Sequence, residues 1–210
     1  MKLLVATRSA GKQREIRRLL ADSGLDLVFP EDINLFEDSA EELLENSDSF
    51  RANARAKAEH FAKRSGLPTV ADDSGLEVFY LGGAPGTRSK RWAGAAGTAA
   101  EVDAANNAEL LRRLAGAPDA KRAARYRCAL VLVRKVGALP EVFEGECAGR
   151  ILEAPVGTGG FGYDPYFHSA DLGKSLGEAT DAEKDGVSHR GRAFRALRLA
   201  LAAAPTPASG

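Results

Sequence analysis

Two adjacent carboxylates, Asp72 and Asp73, end an apolar run and stand directly before Ser74 and Gly75. Strands that deliver acids to a turn commonly place them at a cleft, where carboxylates bind a cation or transfer a proton. Because side chains alternate along a strand, the two acids should face opposite ways unless the backbone turns between them. We expect a turn at Ser74 and Gly75, with Asp73 facing the cleft. The alternative, that both acids are solvated and only cap the turn, stays open at this point.

A phosphate site is predicted in the short polar stretch of residues 7–12, which follows an apolar first strand. A helix is predicted to begin near Lys12, so backbone N–H groups and a lysine lie together at a helix N-terminus, where anions bind. Gly11 and Lys12 do not form a P-loop, because Gln13 replaces the hydroxyl residue that holds magnesium and Ala6 replaces the first glycine. The stretch therefore indicates phosphate binding outside the P-loop class.

A glycine-rich segment, residues 157–165, carries two aromatic rings. Its first six residues match GxGxxG, but Asp164 and Pro165 stand where a helix should begin, which excludes a dinucleotide-binding turn. Phe161 and Tyr163 instead offer ring faces beside glycine, and such faces stack on nucleobases at ~1–3 kcal/mol each in single-strand binders. Hydrogen-bond donors that can read a base carbonyl follow further along the chain: Lys184, His189 and Arg190.

A divalent cation site is predicted where Asp73 meets a glutamate from the acidic stretch of residues 31–48. Hard carboxylate oxygens suit Mg²⁺, which takes one or two carboxylates together with substrate phosphates. Together with the phosphate stretch and the aromatic segment, this site describes a nucleoside polyphosphate bound with magnesium.

Two further polar stretches have two interpretations each. Asn53 and Lys57 share one face of a predicted helix, which is either plain surface or a wall of the cleft. The basic segment of residues 87–92, which includes Arg91 and the only tryptophan of the chain, is either an exposed loop or an anion-binding loop.

The elements that must position these residues belong to the α/β class. The opening strand, helix and strand form a unit whose two strands should be parallel, and the two long strands near the middle of the chain should pair antiparallel. We therefore predict a mixed, elongated central sheet flanked by helices, with two lobes around a nucleotide-binding cleft. The predicted strands cover residues 2–6, 25–29, 68–72, 76–81, 123–136 and 141–154, and the helices 12–23, 49–65, 98–114 and from 181 onward. We expect one domain over residues 1–204 and a disordered tail over residues 205–210.

Composition excludes several broad classes of function. Lys plus Arg is 29 and Asp plus Glu is 29, so the net charge is zero, which argues against a general nucleic-acid or membrane binder. Cys128 and Cys147 lack CxxC spacing and should be reduced core thiols, and the three histidines lack zinc-site spacing. The N-terminal apolar run is too short for a signal peptide, and no stretch approaches the ~20 apolar residues of a membrane span. We therefore expect a cytoplasmic protein with no nucleic-acid or membrane partner.

Seven stretches, spread over almost the whole chain, together carry a family resemblance. They are Thr7 with Gly11 and Lys12, Phe50 with Asn53 and Lys57, and residues 71–76, 81–86, 157–165, 183–184 and 188–191. In this order and at this spacing they resemble the inosine triphosphate pyrophosphatase family, also called XTP/dITP diphosphatases, over essentially residues 2–201. The last three stretches are the most specific.

The resemblance implies a mixed α/β protein with a central cleft, usually a homodimer. It implies Mg²⁺-dependent hydrolysis of deaminated purine nucleoside triphosphates (ITP, dITP and XTP) to the monophosphate and pyrophosphate, before they can enter DNA or RNA. Two other functions stay open: a pyrophosphatase of similar fold for other modified nucleotides, and a nucleotide-binding regulator without catalysis.

The same resemblance implies a role for each matching residue. Asp73 would be the general base and a magnesium ligand, and Ser74 would contact the substrate, while Asp72 supports the site from the opposite face of the strand. The phosphates would be cradled by Thr7, Arg8, Ser9, Ala10, Gly11 and Lys12. The base would be held by Phe161, which stacks on it, and by Gly162, Tyr163, Asp164, Lys184, His189 and Arg190. Phosphate-binding or supporting roles would fall to Asn53, Lys57 and Arg91.

Two departures from the family pattern matter. Ser9 stands where the family usually has an asparagine, so it keeps a hydroxyl but lacks the amide. The metal-binding glutamate of the family lies a few residues before Phe50, and counting back without a gap gives Glu45, whereas matching the preceding acidic run gives Glu42 and an insertion. We predict Glu45, because the helix that begins near Phe50 is the firmer reference.

Overall fold

A seven-stranded mixed sheet organises residues 1–203, the part of the chain described by this computed structural model. The strands are β1 (Lys2–Val5), β2 (Asp26–Val28), β3 (Thr69–Val78), β4 (Ala123–Val133), β5 (Glu141–Ile151), β6 (Phe167–Ser169) and β7 (Lys174–Ser175). The helices are α1 (Ala10–Leu19), α2 (Phe50–Ser65), α3 (Ala99–Arg113), α4 (Asp181–Val187) and α5 (His189–Ala203). The strand order across the sheet is β2-β1-β3-β4-β5-β6-β7.

The pairing of the strands confirms the predicted mixed sheet. β1 pairs parallel with β2 and with β3, whereas β3, β4, β5, β6 and β7 pair antiparallel in succession. Parallel neighbours need a crossover connection, and α1 supplies it between β1 and β2, as the opening strand, helix and strand predict. The long β4 and β5 then extend the sheet in one direction, which gives it the expected elongated shape.

One face of β3 carries an apolar, polar, apolar succession that divides the molecule into two lobes. Val70 packs in an apolar cluster with side chains of α1 and α5, and Leu76 and Val78 pack in a second cluster with side chains of α3. Asp72 and Ser74 lie between them on the same face, because side chains alternate along a strand. Two hydrophobic cores are thus separated by a polar gap, and this gap is the floor of the predicted cleft.

The opposite face of the sheet is covered by α2. Ala54 and Ala58 of the helix are fully buried and share an apolar cluster with Ala71 of β3 and Ala129 of β4. These small side chains let the helix backbone approach the sheet closely. Phe61 closes the cluster one turn later, and burial of such a ring stabilises the fold by ~1.5–3 kcal/mol.

The predicted turn at Ser74 and Gly75 is wrong, because β3 runs unbroken from Thr69 to Val78 and pairs with β4 along all ten residues. Gly75 is not in the left-handed region of backbone space, so it serves no turn. It is needed because the Gly86 carbonyl oxygen would lie far inside van der Waals contact of a Cβ there, and Ser89 Oγ would meet that Cβ at 2.5 Å. Strand pairing and this close approach therefore outweigh the local turn preference of a Ser-Gly pair.

Side-chain caps fix where the helices begin and end. Ser9 Oγ accepts a hydrogen bond from the Lys12 N–H, so α1 begins at Ala10, two residues before its predicted start. Thr180 and Glu183 form the predicted capping box at the start of α4. Gly66, with φ of 70°, ends α2 as predicted.

Cys128 and Cys147 are both buried and free, as the sequence predicts. Within residues 1–203, no helix combines the length and the apolar character needed to cross a lipid bilayer. The prediction of a disordered tail falls on residues 205–210, which lie outside the described residues together with residue 204. The single domain stays a prediction.

A test of the close approach at β3 is the substitution Gly75→Ala. We expect it to lower the free energy of unfolding by about 1–3 kcal/mol, because the added Cβ forces the segment around Gly86 and Ser89 away from the strand. Urea unfolding measures the change. Gly186→Ala in α4 is the matched control, because a Cβ there meets nothing within 4 Å and should be neutral or slightly stabilising. Equal stability of the two variants would contradict the packing argument.

Candidate functional site

Asp73 lies on the α2 side of β3 and is 4% exposed. Its Oδ2 accepts a hydrogen bond from Asn53 Nδ2 at 2.9 Å, and its Oδ1 lies 3.9 Å from Lys57 Nζ. Asn53 and Lys57 are one helical turn apart on α2, so the face they share is a wall of the site and not plain surface. Lys57 also donates to the Asp72 carbonyl oxygen at 2.5 Å, which fixes the ammonium against the strand.

Glu45 lies beside this cluster, whereas Glu42 is exposed in a short 3-10 helix before it. Lys57 Nζ donates to Glu45 Oε1 at 2.7 Å, and Arg91 Nη1 donates to Glu45 Oε2 at 3.2 Å. Arg91 also donates to the Glu45 backbone carbonyl, so this arginine positions the acidic stretch. The geometry favours Glu45 over Glu42 as the acid near Asp73, and its role as a metal ligand stays a prediction.

The two acids of this cluster differ in their affinity for a proton. Burial raises the pKa of Asp73 and the charge of Glu45 raises it further, against the lowering effect of Lys57 and Lys12. For Glu45 the charge of Lys57 outweighs burial, and the pKa falls to about 2. Two carboxylates whose environments separate their pKa values in this way are typical of sites where one acid is a base and the other stays ionised.

The predicted phosphate stretch forms the first turn of α1. Lys12 Nζ lies 3.0 Å from Asp72 Oδ2, which is on the opposite face of β3 from Asp73. Thr7 Oγ1 accepts from the Ser9 N–H at 3.3 Å and so closes the loop before the helix. Arg8 does not follow the predicted phosphate-binding role of this stretch, because its guanidinium makes two hydrogen bonds to the Glu41 carboxylate at 2.8 and 2.9 Å. The side chain of Arg8 is thus held by an acid and is less available to a phosphate.

Buried charges of alternating sign connect the phosphate stretch to the predicted base pocket. Asp72 pairs with Arg190 at 3.3 Å as well as with Lys12. Arg190 also pairs with Glu15 of α1, which pairs with Lys184 at 2.5 Å. The series ends at Asp164, which accepts from Lys184 Nζ at 2.6 Å.

These pairings decide the protonation of the buried acids. Burial alone would raise the pKa of Asp72, but Lys12 and Arg190 outweigh burial and lower it. Burial is likewise outweighed at Glu15, whose pKa falls to about 2. At Asp164 burial prevails over Lys184 and the pKa is raised. The pocket therefore keeps donor-only cations at fixed positions, with Asp72 and Glu15 ionised beside them.

A cavity of about 540 Å³ brings the phosphate and base segments together. The predicted site residues that line this cavity are Arg8, Ser9, Ala10, Gly11, Lys12, Ser74, Phe161, Gly162, Tyr163, Asp164, Lys184, His189 and Arg190. Asp73, Glu45, Asn53 and Lys57 are not part of this lining, because they lie across β3 on the α2 side. Lys12 connects the two regions, since its charge acts on the pKa of both Asp73 and Glu45.

The ring of Phe161 forms one wall of the cavity. A Cβ on Gly11 would meet this ring at 3.1 Å, so the first turn of α1 needs a glycine where the ring rests on it. Lys184 Nζ lies 4.9 Å from the ring centroid and Arg190 Cζ lies 5.9 Å from it. Cations at this distance interact favourably with the ring and help to hold it in place.

His189 lines the same pocket, and its imidazole is neutral. Burial and the neighbouring Arg190 lower its pKa well below the usual value. The imidazole stacks on Tyr126 with ring centroids 4.7 Å apart and planes 9° apart. Its Nδ1 is buried without a hydrogen-bond partner among the described residues.

Several residues at the site, Asp103 among them, were missed by sequence reasoning. Glu15 pairs with two base-pocket cations, and Tyr126 and Lys90 line the cavity. A signal for Glu15 was its place one helical turn after Lys12, on the same face of α1. Lys90 and Arg91 belong to one basic segment, so the sequence does not show which of them lines the cavity. In the structure Lys90 lines the cavity and Arg91 binds Glu45.

A grouping of possible metal ligands occurs elsewhere in the described residues. Ligand atoms of Asp38, Glu41 and His60 lie within 4.8 Å of one another. Both acids are already paired with arginines, Glu41 with Arg8 and both with Arg64. The grouping is therefore explained as an ion-pair network outside the cavity.

The chain is similar to known proteins over almost its whole length. The model of the Ham1 family matches residues 3–200. A dITP/XTP pyrophosphatase of Shigella flexneri is 46% identical, over 95% of this chain and 98% of that protein. One from Anaeromyxobacter sp. (strain Fw109-5) is 41% identical, over 96% of both. Among solved structures, a HAM1 protein from Coxiella burnetii superposes with a TM-score of 0.84 at 33% identity, covering 97% of this chain and 100% of that chain.

The buried charge series predicts a pH-dependent effect of Glu15→Gln. Near pH 7 the variant should lose about 3–5 kcal/mol in free energy of unfolding, because Arg190 and Lys184 lose their carboxylate. The folded pKa of about 2 lies below the ordinary 4.5, so this stabilisation is complete above pH 4.5 and is lost as the pH falls toward 2. The difference between wild type and variant should therefore shrink by about 1.4 kcal/mol per pH unit in that window.

Urea unfolding near pH 7, 4.5 and 3.5 measures this difference, with Glu42→Gln at an exposed acid as the control. A difference that stays constant over the three values would contradict the assignment of Glu15 as an ionised partner of the two cations.

Proposed function

This chain belongs to the Ham1 family, and we propose that it hydrolyses deaminated purine nucleoside triphosphates to the monophosphate and pyrophosphate. ITP, dITP and XTP would be its substrates, removed from the nucleotide pool before they enter DNA or RNA. The observation that carries the proposal is one cavity joining a helix N-terminus with Lys12 to an aromatic wall with donor-only cations. A buried carboxylate of raised pKa, Asp73, lies across the strand from this cavity.

The triphosphate would lie against the first turn of α1. The free backbone N–H groups there and the Lys12 ammonium favour negative charge, and Lys90 adds a second cation on the cavity wall. Ser74, whose hydroxyl accepts from Arg190 Nη2 at 2.8 Å, would contact the substrate at the floor of the cavity. The polyphosphate would extend from the cavity past Lys12, whose charge acts on both Asp73 and Glu45.

Asp73 would take the proton of the attacking water. Burial raises the pKa of Asp73, and a bound cation would lower it again, so the base role rests on the position of this carboxylate beside Asn53 and Lys57. The water oxygen bonds to the α-phosphorus, the bond to the bridging oxygen breaks, and its electron pair leaves with pyrophosphate. Asn53 and Lys57 hold the carboxylate in place during this transfer.

Magnesium fits the donor set of Asp73 and Glu45. Both are hard oxygen ligands, and burial together with the charge of Glu45 raises the pKa of Asp73, an effect that a bound divalent cation would reverse. We propose that these two residues hold Mg²⁺. When bound, the ion supplies charge neutralisation on the phosphates and on the leaving pyrophosphate.

Selectivity for deaminated bases would rest on the 6-oxo group. Lys184 has three N–H donors, of which Asp164 and Glu15 engage two, and it has no acceptor to offer. The remaining donor and the guanidinium of Arg190 can pair with a carbonyl oxygen. An adenine amino group would bring donor against donor and leave buried groups unpaired.

Three broader properties complete the proposal. A homodimer is proposed from the family resemblance. A cytoplasmic location is proposed because the nucleotide pool is there and because buried free thiols, Cys128 and Cys147, suit a reducing compartment. The balanced net charge supports a small-molecule substrate with no nucleic-acid or membrane partner.

Product analysis with ITP, dITP, XTP, GTP and dTTP in the presence of Mg²⁺ tests the proposed reaction. We expect pyrophosphate and the monophosphate from ITP, dITP and XTP, with little product from the other two. Orthophosphate as the direct product would overturn the proposal. Comparable release from dTTP would favour a wider pyrophosphatase, and nucleotide binding without any hydrolysis would favour a regulator.

Substitutions at the acids test their separate roles. Asp73→Asn should lower kcat by roughly 10²–10⁴-fold because the general base is lost, with the fold retained. Glu45→Gln should mainly raise the Mg²⁺ concentration needed for half-maximal rate. Steady-state rates at varied Mg²⁺ separate the two effects, and Glu42→Gln, at an exposed acid, should match wild type in both. Near-normal turnover of Asp73→Asn would remove Asp73 from the mechanism, and a magnesium defect in Glu42→Gln alone would move the ligand there.

A further inference from the structure

Helix α3 holds polar side chains beside the cavity that the proposed reaction does not use. Asn106 and Asn107 are buried and Asp103 is half-buried, although all three lie on a helix whose ends are exposed. Buried polar groups are costly unless they are hydrogen-bonded, so their partners indicate what the helix is built to hold.

Asp103 and Asn107 hold the two sides of a single residue, Gly162. The Gly162 N–H donates to Asp103 Oδ2 at 2.8 Å, and Asn107 Nδ2 donates to the Gly162 carbonyl oxygen at 3.0 Å. The two side chains are four residues apart and therefore lie on one face of α3. Gly162 adopts a φ of +65°, in the left-handed region that favours glycine.

The residue before Gly162 is Phe161, the aromatic wall of the cavity. Its own N–H donates to Asp164 Oδ2 at 2.8 Å, and Tyr163 Oη donates to the Ser89 carbonyl oxygen at 2.7 Å. The loop is otherwise rich in glycine, which gives it a large conformational entropy to lose when a base binds. The hydrogen bonds that Asp103 and Asn107 make with Gly162 remove much of that conformational freedom before a base binds.

We propose that Asp103 and Asn107 are positioning residues for base recognition, which act by fixing the backbone that carries Phe161. They fix the position of the Phe161 ring, on which the flat base would stack, relative to the donors at Lys184 and Arg190. This inference rests on the proposed function, because it takes the ligand to be a purine nucleotide. It assigns to α3 a part in substrate recognition through the backbone of Gly162, and Asp103 also lines the cavity.

Substitution of Asp103 or Asn107 should affect binding of the base more than binding of the phosphates. Lys12 and the first turn of α1 are held by Asp72 and Ser9, neither of which contacts α3 residues 103 or 107 through a hydrogen bond. Inorganic tripolyphosphate has the phosphates without a base, so its inhibition reports on the phosphate site alone. Inosine monophosphate has the base and cannot be hydrolysed to pyrophosphate, so its binding reports on the pocket without turnover.

The experiment compares Asp103→Leu and Asn107→Leu with the conservative Asp103→Asn. Both leucine variants should raise KM for ITP and weaken binding of inosine monophosphate about tenfold, since stacking on an unfixed ring is poorer. The inhibition constant of tripolyphosphate should stay within about twofold of wild type, and so should kcat, because neither the phosphate site nor Asp73 is touched. Asp103→Asn keeps an oxygen acceptor for the Gly162 N–H and should restore most of the binding.

Glu101→Ala is the matched control on the same helix. Glu101 accepts hydrogen bonds from Thr98 at the start of α3 and makes none to Gly162 among the described residues, so its loss should lower thermal stability without changing KM. Wild-type KM and binding in both leucine variants would overturn the proposal, as would equal weakening of nucleotide and tripolyphosphate. A wild-type protein that binds no inosine monophosphate would also overturn it. One that binds it but releases no pyrophosphate from ITP would overturn the proposed function alone.

Discussion

Two carboxylates buried back to back on one strand impose the main constraint on this structure. Asp72 and Asp73 are almost fully inaccessible, and an ionised group in such a place is tolerated only with charged or hydrogen-bonding partners. Those partners cannot come from β3 itself. Lys12 and Arg190 must be brought to one face by α1 and α5, and Lys57 must be brought to the other by α2. The site is therefore assembled only when these three helices pack against the sheet.

The same constraint explains why the site is distributed over the whole chain. On the cavity side, each inner member of the buried charge series has two neighbours of opposite sign, so removing one of them leaves two charges without a partner. His189 is the exception, because burial beside Arg190 keeps it neutral. A neutral imidazole at this point avoids a further positive charge in a pocket that already contains Lys184 and Arg190. The buried acidic and basic side chains around the cavity thus balance one another, as the charges of the whole chain do.

The sequence was sufficient to predict the mixed sheet, most helix bounds and the segments that line the cavity. Periodic apolar residues and capping patterns are local signals, and local signals place elements well. The predicted turn after Asp73 failed because the pairing of β3 with β4 and the approach of Gly86 are contacts between distant segments. Glu15 was missed for a related reason: on a helix, a glutamate destined for a buried ion pair has the same local pattern as one on the surface. The choice between Lys90 and Arg91 likewise depends on where Glu45 comes to lie.

The contact between Phe161 and Gly11 has a geometric consequence. The ring that would face the base rests directly on the helix turn that would hold the phosphates, with only a missing side chain between them. The contact between Phe161 and Gly11 would therefore fix the distance between the site of the base and the site of the phosphates. On the proposed function, this fixed distance, compared with the length of the ribose and one phosphate, decides which phosphorus comes to lie nearest Asp73. The choice of which anhydride bond is cut would then follow from a distance built into the scaffold, independently of which purine is bound.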